Sequence, residues 1–332
     1  CGDRTACRAV FEEATVPYRT LTRLSLALIL SFLLSLTPVQ SVRAQEPWII
    51  RVTTTQDLRN YGHNSVCSAG DATKGPCSLR AAVFEAAHDP SGDVIVEVPP
   101  GVYRLTLTAS SGSSSDEDYG DLDFPALGTP RSAGILIRGI GDWENPSIIE
   151  ANYIDRVMQI GANQQVRLEN LVLRNGLVTS SAGTGSGTDG GGLYISDASL
   201  QMNHVRLSNN EARGNSSTLS SGGAIYTAGS NLELNQCELS YNKSDVGSAL
   251  AGTQSQDTLI QGSTLRHNTV NQSTGAHIEL DSWLVMTNST MSDNQGGAYY
   301  VKDSLYTLIQ NSTLVSSAAS GFSGILTRCG SG

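Results

Sequence analysis

The densest set of side chains able to do chemistry is the stretch SDEDYGDLDF, which gathers Asp116, Asp118, Asp121 and Asp123 around Gly120. Hard carboxylate oxygens at this density are the ligands calcium prefers. The spacing is not that of an EF-hand and no terminal Glu follows, so the stretch reads either as a calcium site or as a solvated acidic loop. Elsewhere the ionisable groups are dispersed. Glycoside hydrolysis needs two carboxylates facing one bond, and elimination needs an acidic metal cluster with a basic proton acceptor. Asp197, Asp257, Asp281 and Asp303 share no fixed place in the sequence, His204, His267 and His277 stand alone as surface turn residues, and no Asp-Asp pair occurs. No catalytic residue is assigned, and calcium is the one cofactor the residues suggest.

Of the six cysteines, Cys67 and Cys77 lie close together about the glycine-containing loop SAGDATKGP. In an exported chain that spacing predicts a disulfide, whose short loop contributes about 2 to 3 kcal/mol in the chain-entropy model. The alternatives are two free thiols or a metal pair, and no Cys or His partner stands at zinc spacing. Cys237 is expected to be unpaired.

What could position such residues is legible in the composition. With 34 Gly, 6% aromatic and 16% charged residues, the chain suits a turn-rich β protein. Its C-terminal half repeats: NHVRLSNN (203–210), NQCELSYN (235–242), QGSTLRHN (261–268) and TNSTMSDN (287–294), with ENLVLRNG (169–176) and QNSTLVSS (310–317) on either side. A glycine-led strand precedes each of the last five in chain order (GGLYI, GGAIY, GSALA, GAHIE, GAYYV), at intervals suited to stacked solenoid coils. Two columns point inward by strand alternation: Leu171, Val205, Cys237, Ser263, Ser289, Ser312, and Leu173, Leu207, Leu239, Leu265, Met291, Leu314. The turn column Asn210, Asn242, Asn268, Asn294 reads as a ladder of stacked amides, since Asn accepts left-handed turn geometry and bonds to its neighbours. Short strands in coils of this length predict an all-β fold, a parallel β-helix, right-handed by the usual chirality of parallel crossovers.

One segment breaks the pattern. GPCSLRAAVFEAA has Ser78 as N-cap, and Leu79, Ala82, Val83 and Ala86 at helical spacing, with Arg80 among them. A solenoid ends in unpaired strand edges that need cover, so this helix is expected to lie over a first coil beginning at DVIVEVPPGVYRLTL. CSLRAAVFEAA, the upstream Cys67 and the strand beyond the helix resemble the CSLREA domain of bacterial exported repeat proteins, over roughly residues 49–107. The family's Glu is Ala81 here, which removes the reciprocal half of a capping box. The later coils, with GGAI at 222–225 and endings such as LSYN and MSDN, resemble polymorphic outer-membrane protein repeats, with Leu or Met where that family has Phe. GSGTDGGGL (185–193) looks like one copy of a calcium β-roll repeat around Gly185, Gly187 and Asp189, though a single copy has nothing to stack on and reads as a linker. Neither repeat family carries an activity that transfers residue by residue. The resemblance implies an exported or surface-exposed right-handed β-helix, often adhesive.

Residues 1–44 read as upstream sequence followed by a secretory signal peptide: Arg19 and Arg23 precede the apolar run LSLALILSFLLSL (24–36), with cleavage after Ala44. No other segment is apolar enough to span a bilayer. Residues 45–90 form the N-terminal cap, and 91–332 the β-helix, which is expected to continue past Gly332 because GFSGILTRCGSG opens another coil. The net charge of −10 argues against nucleic acid as a partner. An extracellular glycan or a surface protein suits it better. The expected function is therefore a structural, adhesive or binding module, secreted or on a bacterial-type cell surface. The alternative is a polysaccharide lyase or glycoside hydrolase of the pectate-lyase-like fold. Two long connections, 177–191 and 211–223, should emerge side by side at one corner and frame a binding surface.

Overall fold

The computed structural model describes residues 46–328 apart from 61, 63–64, 70–73, 90–91, 109–117, 180–187, 216, 255–256, 272–275, 281–282, 303–305 and 317–324. The chain divides between Ala44 and Gln45 into two units, and the described residues all belong to the second. The signal-like segment, Asp116, Gly185, Gly187, Asp281, Asp303 and Cys329 lie outside the described residues.

Every strand pairing between named strands is parallel, and the strands fall into three long stacks. The first runs Trp48–Arg51, Val94–Val98, Ile135–Gly139, Gln165–Glu169, Ser199–Asn203, Asn231–Asn235, Asp257–Gln261, Trp283–Thr287, Thr307–Gln310. The second begins at Gly101–Arg104 and Ser147–Glu150 and climbs through Leu171–Arg174 to Thr313–Ser316. The third begins at Leu122–Phe124 and Met158–Ile160 and climbs through Leu193–Ser196 and Ile225–Ala228 to Ile325–Arg328. A minor sheet of two- and three-residue strands, Leu177–Thr179, Glu211–Arg213, Lys243–Ser244 and Thr269–Val270, lies between the second and third. The chain visits the stacks in turn, one coil after another, which makes a parallel β-helix with its core inside the coil.

Register fixes that core. In the first sheet Val96, Ile137, Leu168, Met202, Leu234, Ile260 and Met286 stack partner on partner, all fully buried. A slip of one residue would turn each of them to solvent, so the apolar alternation holds the coils in phase. The two inward columns of the second sheet are buried through Met291, and Ser312 and Leu314 are half-buried.

Three corners turn on residues with left-handed backbone. Between the first and second sheets they are Asn170, His204, Gln236, Gly262, Asn288 and Asn311; beyond the second, Asn175, Asn209, Tyr241, His267 and Asp293; between the third and first, Asn163, Asp197, Gly229 and Gln254. The ladder asparagines are not among them. The left-handed residue falls one position earlier, so Asn210, Asn242, Asn268 and Asn294 owe their identity to hydrogen bonding alone. Each Nδ2 of the first three donates to the next Oδ1 (3.0, 3.1 and 3.1 Å), and the backbone N–H beside it donates to the same oxygen. A second, hydroxyl ladder runs beside it: Ser263, Ser289 and Ser312 accept through Oγ from the backbone N–H of Cys237, Ser263 and Ser289. His277 departs from the turn expectation, because it lies within the strand Ala276–Leu280.

The cap differs from expectation in two ways. Trp48–Arg51 already pairs with Val94–Val98, so the first sheet starts before the helix rather than after it. The helix α1, Leu79–His88, buries Ala81 as completely as Ala82, Val83 and Ala86, so it is enclosed on more than one face. Ser78 Oγ accepts from Ala81 N and donates to Leu58 O. Arg80, buried with Asp57, pairs with both carboxylate oxygens and donates to the carbonyls of Gly120 and Asp121. Asp57 also accepts from the N–H of Thr106 and Leu107, so one ion pair ties the helix to two loops. The Cys67–Cys77 disulfide closes the segment that leads into the helix.

Candidate functional site

The corner after the asparagine ladder is where coil length varies most. The two long connections each open with a strand of the minor sheet, so the true insertions are shorter than 177–191 and 211–223 and begin after Thr179 and Arg213. Their closing ends meet: Thr188 Oγ1 donates to Leu219 O, Asp189 Oδ1 accepts from Ser221 N (2.8 Å), and Gly190 N donates to Ser221 O. Asp245 Oδ2 then accepts from the N–H and hydroxyl of Ser220, which closes the second connection onto the coil above.

Beside this corner lies the outer face of the third sheet. Its outward row reads Asp123, Gln159, Tyr194, Tyr226, Ala251 in strict register. The rings of Tyr194 and Tyr226 stack with centroids 5.6 Å apart and 12° between planes, and Tyr226 Oη shares a hydrogen bond with Thr253 Oγ1. Stacked aromatics on an outer face present a flat apolar surface with hydroxyls at its rim. Under Tyr194 lies Arg156, fully buried, its Cζ 5.5 Å from the ring centroid. Its Nη1 donates to Gln159 Oε1 and stands 3.6 Å from Asp121 Oδ2, while Nε and Nη2 have no hydrogen-bond partner among the described residues. Burial raises the Asp189 carboxyl above its ordinary range against the pull of the Ser221 hydrogen bonds and of Arg156. Burial, and next Asp189, raise the Tyr194 phenol as well. The arrangement can stack a flat ring and offer hydroxyl and carboxyl groups to a polar ligand.

The sequence motifs distribute differently. Asp121 and Asp123 are buried, with Asp121 against Arg156, whereas Asp118 stands 3.8 Å from Arg59. Arg59 and Arg156 thus stand beside two of these carboxylates, and no group of three or more His, Cys, Asp or Glu side chains placed to hold a metal occurs among the described residues. Asp189, read as part of a β-roll copy, serves as the clasp between the two connections. Asp197 occupies a corner and Asp257 begins a strand of the first sheet, so these two carboxylates are not brought together. Arg156 escaped sequence reasoning; its signal was a lone cation in YIDRVMQI ahead of an apolar strand. The tyrosine pair escaped because GGLYI and GGAIY, aligned on their first glycines, place Tyr194 and Tyr226 one step apart. The pairing instead aligns Leu193 with Ile225 and the tyrosines with each other.

Residues 133–314 match a family described as a right handed beta helix region. Searches of curated proteins and of solved structures gave no match. No helix among the described residues is long and apolar enough to cross a membrane.

Proposed function

The chain belongs to the right-handed β-helix family, and from that premise we propose that it is an exported surface module that binds an extracellular glycan or surface protein. The observation that carries this reading is the Tyr194–Tyr226 stack lying beside the two clasped connections. Rigid strands hold the rings in fixed register while the loops vary, which is how scaffolded recognition surfaces are commonly built. Aromatic rings order few torsions on contact, so they contribute affinity at little entropic cost. Export is supported by the apolar run at 24–36, by the likeness to exported repeat proteins, and by the Cys67–Cys77 disulfide, a bond that persists in oxidising compartments.

The test joins two variants. Tyr194→Ala with Tyr226→Ala removes the platform, and replacing 180–187 and 214–219 by Gly-Gly removes the insertions while sparing the minor strands. Binding to a glycan array and to intact cells should fall for both, with thermal unfolding little changed. Undiminished binding would move the site elsewhere. Release of reducing or unsaturated ends from pectin, alginate or glycosaminoglycan would instead favour the polysaccharide-acting enzyme.

A further inference from the structure

A second surface lies at a different corner, between the first and second sheets. In the later coils one left-handed residue crosses it: Asn170, His204, Gln236, Gly262, Asn288 or Asn311. Between Ile135–Gly139 and Ser147–Glu150 the crossing instead takes residues 140–146, an insertion that projects from the corner. The insertion is tied down. Asp142 Oδ1 accepts from the N–H of Glu144 (3.1 Å) and of Asn145 (2.8 Å), Gly141 N donates to Ser147 Oγ, and Ile140 N donates to Val98 O. Gly139 and Gly141 are required: a Cβ at the first would collide with Asn170 O and at the second with Asn145 O. This fastening holds out Trp143, which is 76% exposed and the most exposed large apolar side chain among the described residues.

Between the loop and the next two coils is a groove of about 280 Å³, lined by Asp142, Trp143, Pro146, Asn170, His204 and Arg206 together with Leu171 and Val172. Arg206 makes no ion pair among the described residues. Its neighbour in register, Glu238, is engaged by Arg266 at 2.8 and 3.1 Å, whereas Glu97, Glu150 and Glu211 are each held by arginines of their own. In a chain of net charge −10, an uncommitted guanidinium beside an exposed imidazole is a local site for an anionic group.

We propose that this groove binds an acidic sugar residue of an extracellular glycan, its ring stacked on Trp143 and its anionic substituent held by Arg206 and His204. The C–H bonds on one face of a pyranose carry partial positive charge, which the negative face of an indole attracts. The carboxylate of the sugar takes the guanidinium fork, and Asn170 reaches the ring hydroxyls from the same wall. The space admits one or two rings, below the range of drug-sized pockets and too small for a docked helix. This site goes beyond the tyrosine face: it occupies another corner and stands or falls apart from it.

The experiment is calorimetric titration of the full chain with a hexuronate tetrasaccharide, sialyllactose and the neutral cellotetraose. One acidic probe should bind at least tenfold more tightly than the neutral one, and which of the two does so names the source of the acidic group. Trp143→Ala should weaken that probe at least tenfold. Arg206→Gln should erase the preference for the acidic over the neutral probe, and both variants should keep the parent's melting temperature because both side chains are exposed. Trp143→Ala should cost the acidic probe the same factor when it is added to the Tyr194→Ala, Tyr226→Ala double variant as when it is made alone, which separates this site from the tyrosine face. Equal affinity for acidic and neutral probes, binding of neither acidic probe, or parent affinity in both Trp143→Ala and Arg206→Gln would overturn the proposal.

Discussion

Asn242 Nδ2 donates to Asn268 Oδ1 at 3.1 Å, and the same oxygen accepts from the Asn242 backbone N–H at 3.0 Å. One amide therefore satisfies two buried donors of the coil below it. Asn242 also donates to Leu207 O, and its own Oδ1 takes both donors of Asn210. The ladder replaces water where the corner is dry, and each rung depends on the next.

Asn242→Ala should accordingly be among the most destabilising polar truncations in the chain. It strands the backbone and side-chain donors of Asn210 and the carbonyl of Leu207, at about 1 to 3 kcal/mol for each buried group left unsatisfied. Asn215→Ala, in an exposed turn, should cost less than about 1 kcal/mol. Chemical denaturation of the two variants compares them directly. Equal losses would mean that the ladder carries no special share of stability.

Much of this architecture was readable because coils repeat. Leucine and asparagine recur at fixed offsets, and that recurrence reveals stacking without any knowledge of a coil's path. What repeats imperfectly was harder to read. The strand Trp48–Arg51 lies before the helix and outside any repeat, so the first sheet was expected to start a coil too late. Arg156 and Trp143 occur once each and matter through neighbours far away in sequence, which periodicity cannot show. Arg59, Arg80 and Arg156 likewise reach the acidic stretch from distant segments, a proximity its own residues do not reveal.

The enclosure of α1 reverses one expectation. The missing capping-box Glu suggests that Ala81→Glu would strengthen the cap, yet Ala81 is 0% exposed. A carboxylate there enters the interior unpaired, as it would in Val83→Asp, at a cost of several kcal/mol. Both variants should unfold at clearly lower temperature than the parent. A stabilised Ala81→Glu would show that the helix can move off the first coil to admit the side chain.

Acid should weaken the first coils through Glu97. Hydrogen bonds from Arg51 and then Arg138 hold its carboxyl below the ordinary value near 4.5. A depressed folded value contributes stability that is whole above the unfolded pKa and is lost as pH falls through the folded one. Glu150 behaves alike: burial pushes it up, but Arg174 and Asn175 outweigh burial and leave it lowered. Urea unfolding followed from about pH 6 to about pH 3 should therefore show a shallower acid loss in Glu97→Gln than in the parent. Identical slopes would remove Glu97 from the acid response.

The cysteines give the last test, because their chemistry should follow their burial. Non-reducing peptide mapping should recover Cys67 joined to Cys77, while Cys237 stays a thiol inside the coil. Burial pushes the Cys237 thiol up to about 11, so at pH near 8 the thiolate that alkylating reagents need is scarce as well as enclosed. Iodoacetamide should leave it unmodified in the native chain and label it in denaturant. Its labelling rate then reports opening of the coil around Glu238–Ser240. Replacing Cys67 and Cys77 together by Ser removes the closure of a loop with a separation of 10 residues. The chain-entropy model assigns such a loop about 3 kcal/mol, lost from the cap. If the cap protects the first coil, proteolysis near Thr53 and Cys77 should rise in that variant before Cys237 becomes reactive. Simultaneous loss at both places would mean that cap and coils open as one cooperative unit.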